Sequence, residues 1–328
     1  MANLQGISGM QIGDGTTSGN IALDIQTRVL RILFEGGFAY QTATIANPTQ
    51  VNSGSVAYQI PEILYAEDYG TTAGTGFQKL NSGLVEVHIN TRRVVKYTYE
   101  QFDQSRLGDM AYVITVIADS VAMTIQNDLN LHFWKNIADQ FKDTTGPLKT
   151  QYIQLENLVN KACTIDQARD AIKELQWKVT EISKTFSKLA MGVPKSELMV
   201  YLDPFADINI RFAYWNQPNK LGERVIAPDL VGTQIGNGIY YYTDKLLGTN
   251  ILPNQSFSKD TTIDLTKFVG FIIHNEAIAM PFNFNSMTQV VDQDNANPRF
   301  IAKYQFGFGI IRPWLVYAIT NKPITRSK

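Results

Sequence analysis

The alternation of apolar and polar residues is most regular near the C-terminus, in the segment RFIAKYQFGFGIIRPWLVYAI at residues 299–319. Its large apolar residues fall on alternate positions: Phe300, Tyr304, Phe306, Phe308 and Ile310. A period of two places these side chains on one face, so the pattern predicts a long strand with one buried face. Proline has no amide hydrogen for a sheet hydrogen bond, so Arg312-Pro313 predicts the end of that strand. The apolar run from Trp314 to Ile319 then predicts a second buried strand in another sheet.

Two further alternating segments enclose a glycine-rich stretch. They are SVAYQIPEI at residues 55–63 and EVHINTRRVVKYTY at residues 86–99. Together they predict a hairpin whose long tip lies between them. A loop of this length inside a compact domain is either an irregular surface loop or an arm that lies over a neighbouring subunit.

Helical spacing dominates four other segments. Apolar residues recur every three or four positions over residues 21–38 and over residues 104–141, and the longer helix carries apolar residues on more than one face. A second helical region is predicted over residues 155–189, where Thr164 and Gln167 form a capping box that restarts the helix. Residues 204–215 predict a short helix with proline in its first turn. Buried strands are predicted at residues 197–204 and 268–280, so the fold class is α+β.

Composition narrows the classes of function. Of the 328 residues, 44% are hydrophobic, only 18% are charged, and the formal net charge is −1. Low charge favours extensive contact with other subunits, although an ordinary globular protein with a polar surface has a similar composition. A net charge near zero disfavours a dedicated nucleic-acid binder. The single cysteine, Cys163, excludes an intramolecular disulfide framework and a cysteine-rich zinc site. The chain shows no signal-peptide pattern and no membrane-spanning run, so we expect a cytoplasmic origin and no membrane contact.

Motifs for catalysis are missing from the sequence. The three histidines lack metal-binding spacing, and neither a GxSxG elbow nor a phosphate-binding Gly-Lys-Ser/Thr occurs. The segment NTRRVVK contributes Arg92, Arg93 and Lys96. These cations suit a solvated strand face, or contact with phosphates or with the carboxylates of another subunit. We therefore expect no enzymatic activity, no cofactor and no bound metal.

The order of these segments resembles that of the major capsid proteins of tailed bacteriophages, which share the HK-ninety-seven-like fold. The resemblance is carried locally by Arg312-Pro313 with the apolar run that follows, and by Glu276-Ala277 within FIIHNEAIAMPF. It implies an N-terminal arm at residues 1–48 and an extended hairpin loop, the E-loop, at residues 49–100. It further implies a peripheral domain with a long spine helix at residues 101–196 and 281–311, and an axial domain at residues 197–280 and 312–328.

The resemblance also implies roles for individual residues. Arg312-Pro313 would be the hinge between the peripheral and axial domains, and Arg92, Arg93 and Lys96 would meet another subunit or phosphate. The tip of the E-loop would contact the next subunit through Tyr69, Gly70, Thr72, Gly74, Gly76, Phe77 and Lys79.

The implied function is self-assembly of hexamers and pentamers into an icosahedral shell around double-stranded DNA. The shell would be assembled in the host cytoplasm and found in the virion, and it would contact the packaged DNA non-specifically. Because the first residues carry little charge, a separate scaffolding protein would be needed, together with a portal. No partner for a covalent cross-link from Lys79 is evident.

Two alternatives stay open from the sequence. An encapsulin-type nanocompartment uses the same fold to enclose a cargo enzyme. A soluble α+β binding protein or enzyme would instead assemble its site from residues without a motif, such as the tyrosines at positions 240–242.

Overall fold

The computed structural model describes residues 18–35, 38–45, 54–61, 82–98, 110–143, 145–187, 190–215, 233–234, 239–252, 262–290 and 299–324. The helices are α1 Ser18–Glu35, α2 Ala39–Ala43, α3 Met110–Lys142, α4 Ile165–Ser183 and α5 Pro204–Trp215. The strands are β1 Thr44–Ile45, β2 Ser55–Pro61, β3 Ser82–His88, β4 Thr91–Thr98, β5 Tyr152–Gln154, β6 Phe186–Ser187, β7 Ala190–Met191, β8 Leu198–Leu202, β9 Thr233–Gln234, β10 Tyr240–Thr243, β11 Asn250–Ile251, β12 Ile263–Asp264, β13 Phe268–His274, β14 Ile278–Ala279, β15 Phe282–Val290, β16 Arg299–Phe306, β17 Gly309–Ile310 and β18 Val316–Thr320.

The chain divides into two compact units. The first comprises residues 1–36, 91–127 and 283–305, and the second comprises residues 37–90, 128–282 and 306–328. The predicted division into arm, E-loop, peripheral domain and axial domain stays a prediction. No helix in the described ranges is long and apolar enough to cross a membrane.

The first unit contains α1, the beginning of α3 and a three-stranded sheet in the order β15-β16-β4. Helix α1 buries Ile25, Val29 and Leu33, whose i, i+4 spacing gives one apolar stripe. The Gln126 side chain of α3 donates a hydrogen bond from Nε2 to the Ile32 carbonyl oxygen at 2.8 Å. These contacts confirm the predicted N-terminal helix. Strand β16, which forms the first part of the predicted C-terminal strand, pairs with β15.

The core of the second unit is a six-stranded mixed sheet in the order β5-β18-β13-β8-β10-β9. Strands β8 and β13 are buried at every residue, which explains their continuous apolar sequences. They run antiparallel, whereas β10 runs parallel to β8. Trp134 of α3 stacks on Phe271 of β13 with ring centroids 5.1 Å apart. This part of α3 is therefore a core helix, which accounts for its apolar residues on more than one face.

A small sheet of order β1-β14-β17 and the β2-β3 hairpin also lie in the second unit. Ile60 and Val87 of the hairpin form a buried cluster with Ala279 and Ile311, and Trp314 packs against it. The hairpin is thus anchored at its base by side chains from two other segments.

Two predicted strands are interrupted in the structure. The segment at residues 86–99 forms β3 and then β4, which lie in different sheets. Strand β3 ends at His88, opposite Ser55, the first residue of β2. The segment at residues 299–311 is likewise divided into β16 and β17, because the Gly307 amide donates to the Pro281 carbonyl oxygen at 3.0 Å. The alternation continues through both interruptions and therefore does not reveal them.

Two other predictions were too long. Residues 155–163 form turns rather than helix, because Asn160 Oδ1 accepts the Ala162 amide at 3.0 Å and competes with helical hydrogen bonding. The predicted capping box is confirmed at the start of α4, where the Thr164 side chain accepts the Gln167 amide. The strand predicted over residues 268–280 stops at His274, because the next amide, that of Asn275, donates to the Glu197 carbonyl oxygen at 3.1 Å.

Candidate functional site

The predicted tip of the E-loop lies outside the described residues. This applies to all seven of its residues: Tyr69, Gly70, Thr72, Gly74, Gly76, Phe77 and Lys79. The described base of the hairpin, β2 and β3, pairs in continuous register from Ser55 opposite His88 to Pro61 opposite Ser82. The contact of the tip with another subunit therefore stays a prediction.

The predicted cations of β4 divide between its two faces. Burial alternates along the strand, with Arg92 and Lys96 exposed and Arg93 half-buried. Tyr97, on the half-buried face, stacks on Phe300 of β16 with ring centroids 5.1 Å apart. The exposed face of β4 is therefore continuous with the face of β16 opposite Phe300, where Lys303 is also exposed.

This outer surface, which we call the basic face, contains Arg92, Lys96 and Lys303. None of the three forms an ion pair with another described residue. Strands β4, β15 and β16 together carry five basic residues and no aspartate or glutamate. Like charges that have no ion-pair partner among the described residues are suited to contact with an anionic group. Lys303 was missed from the sequence because only the stacking of Tyr97 on Phe300 aligns it with β4.

A second exposed surface lies on α5, in the second unit. Phe205, Ile208 and Phe212 are 68%, 54% and 55% exposed and follow one another at i, i+3 and i+7. We call them the α5 stripe. The opposite face of the helix buries Ala206, Ile210 and Ala213. A helix with two apolar faces buries only one of them within its own subunit, and exposed rows of large apolar side chains are typical of protein interfaces.

The start of α5 is fixed by a buried carboxylate. Asp203 Oδ1 accepts the Phe205 amide at 2.7 Å, which caps the helix N-terminus. Burial raises the pKa of the Asp203 carboxyl, an effect that the hydrogen bonds from Phe205 and Ala206 partly offset. Within the helix, Arg211 Nε lies 2.8 Å from Asp207 Oδ2. The α5 stripe is therefore presented by a helix that is held at its first turn.

Arg312-Pro313 lies where the chain passes from the small sheet into the six-stranded sheet. Pro313 begins a single 3-10 turn, and β18 follows it directly. The Ala277 carbonyl oxygen accepts both the Ile311 amide at 2.8 Å and the Arg312 amide at 3.1 Å. The predicted break and the entry into a second sheet are confirmed. The role of this step as a hinge between domains stays a prediction.

No group of three or more His, Cys, Asp or Glu side chains in the described ranges is placed to hold a metal ion. Among the three neighbouring tyrosines, Tyr241 is buried, and Tyr242 stacks on Tyr201 at 5.2 Å. Burial raises the pKa of Tyr242. These tyrosines contribute to the packing of β10 against β8.

Comparison with known proteins identifies the fold. No protein-family model and no curated protein matches the chain. Among solved structures, the capsid of cyanophage P-SCSP1u is 11% identical, with a TM-score of 0.56 over 96% of this chain and 92% of that chain. The capsid of Ralstonia phage GP4 is 11% identical, with a TM-score of 0.54 over 98% of each chain. The mature capsid of bacteriophage PhiM1 is 11% identical, with a TM-score of 0.51 over 96% of this chain and 93% of that chain. The chain has the α+β fold of phage capsid chains, which confirms the predicted fold.

Proposed function

We propose that this protein is a major capsid protein whose copies assemble as hexamers and pentamers into an icosahedral shell around double-stranded DNA. The observation that carries the proposal is the extent of the structural similarity, which includes at least 96% of this chain and 92% of each capsid chain. The role is structural rather than enzymatic. A separate scaffolding protein and a portal complete the proposed assembly, which takes place in the host cytoplasm and ends in the virion.

The α5 stripe is a suitable contact between subunits in such a shell. Complete transfer of a large apolar side chain from water into an interface contributes roughly 1.5–3 kcal/mol, and each side chain of the stripe, already partly buried, would contribute about half of that. A symmetric pair of stripes alone would be smaller than the roughly 800 Å² per partner that a stable dimer buries. The stripe therefore suits one of several contacts around each subunit, where closure of a ring combines modest interfaces.

The basic face is a suitable receptor for the E-loop of a neighbouring subunit. The loop segment contains Glu67 and Asp68 immediately before Tyr69. Opposite charges across an interface fix its register and increase the rate of association. We therefore assign Arg92, Lys96 and Lys303 to inter-subunit contact with these carboxylates, and Arg93 to the inner side of the same strand. Non-specific contact with DNA phosphates is the competing assignment for these cations.

Electron microscopy of negatively stained protein tests the proposal. The purified chain is imaged alone and after co-expression with candidate scaffolding proteins from the same source. Closed shells, or rings of five and six subunits, are the expected result. Shells that enclose a protein cargo and exclude DNA would identify an encapsulin-type compartment instead. Monodisperse monomers under every condition would contradict the shell function and favour a soluble binding protein or enzyme.

A further inference from the structure

His274 is buried at a junction of three chain segments in the second unit. It is the last residue of β13, and its side chain is 2% exposed. Its Nε2 lies 2.9 Å from Oε2 of Glu197, the residue before β8. Its Nδ1 lies 3.1 Å from the backbone nitrogen of Glu276, in the turn between β13 and β14. The imidazole therefore holds the turn against the start of the neighbouring strand.

These contacts define the protonation state of the ring. A backbone amide can only donate, so Nδ1 must accept the Glu276 N–H through its lone pair. The ring proton of neutral His274 is then on Nε2, where it donates to the Glu197 carboxylate. A second proton on Nδ1 would point at the Glu276 N–H, and that hydrogen bond would be lost. The folded turn is therefore compatible only with neutral His274.

The turn between β13 and β14 also contacts Arg312-Pro313, the two residues that lead into β18. Glu276 Oε2 lies 3.0 Å from Arg312 Nη1, and the Ala277 carbonyl oxygen accepts the amides of Ile311 and Arg312. Loss of the Nδ1 hydrogen bond would release the residue that pairs with Arg312. The turn between β13 and β14 thus contacts both the ring of His274 and Arg312, so a change at the ring affects Arg312-Pro313.

Three charged groups face the ring, and their effects oppose one another. Burial lowers the pKa of His274 below its usual value, the Glu197 hydrogen bond and charge raise it, Arg312 lowers it, and Glu276 raises it. Because burial is the largest of these effects, the neutral ring is favoured at neutral pH. Acidification through the folded-state pKa would therefore place a charge where the turn cannot accept it.

We propose that His274 is an acid-sensitive latch: its protonation at Nδ1 opens the β13–β14 turn and loosens the Arg312-Pro313 step. The latch is a property of the single subunit and does not depend on the proposed shell function. Its proton comes from solvent, and no covalent bond changes. Glu197 and Arg312 tune the pH at which it opens, and the turn closes again when the proton leaves.

Amide hydrogen exchange of the unassembled full chain between pH 7.5 and pH 5.0 tests the latch. Rates are corrected for the intrinsic pH dependence of exchange, and peptides that cover residues 274–279 and 311–316 are followed. In the wild type we expect protection of the Glu276 and Arg312 amides to fall about ten-fold at pH 5.0, which corresponds to a decrease of about 1.4 kcal/mol in the free energy of opening.

His274→Asn is the decisive variant. An asparagine side chain accepts the amide two residues ahead in the same manner as Nδ1, and it does not titrate in this range. We expect it to keep the turn protected at both pH values. His88→Asn, at an exposed histidine outside the junction, should behave as the wild type does. Should His274→Asn fold poorly, Glu197→Gln gives a second test. The carboxylate raises the folded-state pKa of His274, so its loss lowers that pKa further below the value in the open turn, and the loss of protection at pH 5.0 should increase. Unchanged protection in the wild type, or an equal loss in His274→Asn, would overturn the proposal.

Discussion

Gly307 lies directly against the backbone of His88. A Cβ built on Gly307 would overlap the His88 carbonyl oxygen and lie 2.9 Å from its carbonyl carbon. Two residues further on, a Cβ at Gly309 would lie 2.6 Å from Cγ2 of Val87. The chain between β16 and β17 thus follows the end of β3 at a distance that only glycine permits. This close approach explains the two glycines that interrupt the aromatic residues of the C-terminal strand pattern.

Replacing Gly307 by alanine should therefore destabilise the second unit. The added methyl group meets backbone rather than a flexible side chain, so β3 or β17 must shift, and we expect a loss of about 2 kcal/mol or more in unfolding free energy. Chemical denaturation of the unassembled chain measures it. Gly54→Ala is the matched control, because no atom lies within 4 Å of a Cβ at Gly54. Equal stability of the two variants would show that the segment adjusts without cost.

The α5 stripe should be required for assembly but not for folding. Phe205→Ser combined with Ile208→Ser removes exposed apolar surface, so the unfolding free energy should change by less than about 1 kcal/mol while the yield of shells or capsomers falls at least about ten-fold. Size-exclusion chromatography with light scattering measures the assembled fraction. Ile165→Ser, at an exposed apolar residue of α4, should assemble normally. Normal assembly of the double variant would remove the stripe from the interface.

Charge reversal at the basic face should weaken assembly in a salt-dependent manner. Arg92→Glu with Lys96→Glu faces the proposed carboxylates of the neighbouring E-loop with like charge, so we expect assembly to be lost at low ionic strength. Adding Glu67→Lys and Asp68→Lys should restore assembly, since the positive and negative side chains have then exchanged sides of the interface. Lys149→Glu with Lys161→Glu, in exposed turns of the second unit, controls for the change in net charge.

The outcome of the exchange also separates the two assignments of the cations. Failure of the double exchange to restore assembly would contradict the E-loop contact. Normal assembly of Arg92→Glu with Lys96→Glu, accompanied by reduced DNA retention, would favour phosphate as the partner of the basic face.

The cap of α5 gives a pH-dependent prediction. Because the folded-state pKa of Asp203 is raised above its unfolded value, the ionised side chain opposes folding, and stability falls as the pH rises from about 3.8 through the folded-state pKa. Asp203→Asn keeps the capping acceptor without the buried charge and should be at least as stable as the wild type at pH 7. Asp203→Ala loses the cap and should be about 1 kcal/mol less stable than Asp203→Asn. Denaturation at pH 4 and pH 7 measures these differences. Equal pH dependence of wild type and Asp203→Asn would exclude Asp203 as its source.

Local features were predictable from the sequence. Three of them depend only on neighbouring residues: the apolar stripe of α1, the capping box at Thr164 and the proline at the start of α5. Arg312-Pro313 likewise ends pairing wherever the sheet lies, because proline lacks the amide hydrogen. The resemblance to phage capsid proteins rested on the order of such features, and the fold confirms it.

The pairing of distant segments could not be predicted from the sequence. A period of two records the face on which a side chain lies but not the strand that pairs with it, so the division between His88 and Thr91 was invisible. The basic face depends on the stacking of Tyr97 on Phe300. The latch depends on the contact of His274 with Glu197, which is 77 positions away in the sequence. Hydrophobic periodicity is local, and it therefore predicted most helices and strands and the α+β class without knowledge of the fold. The surfaces and the buried proton site required long-range contacts, because the partners of each residue are distant along the chain.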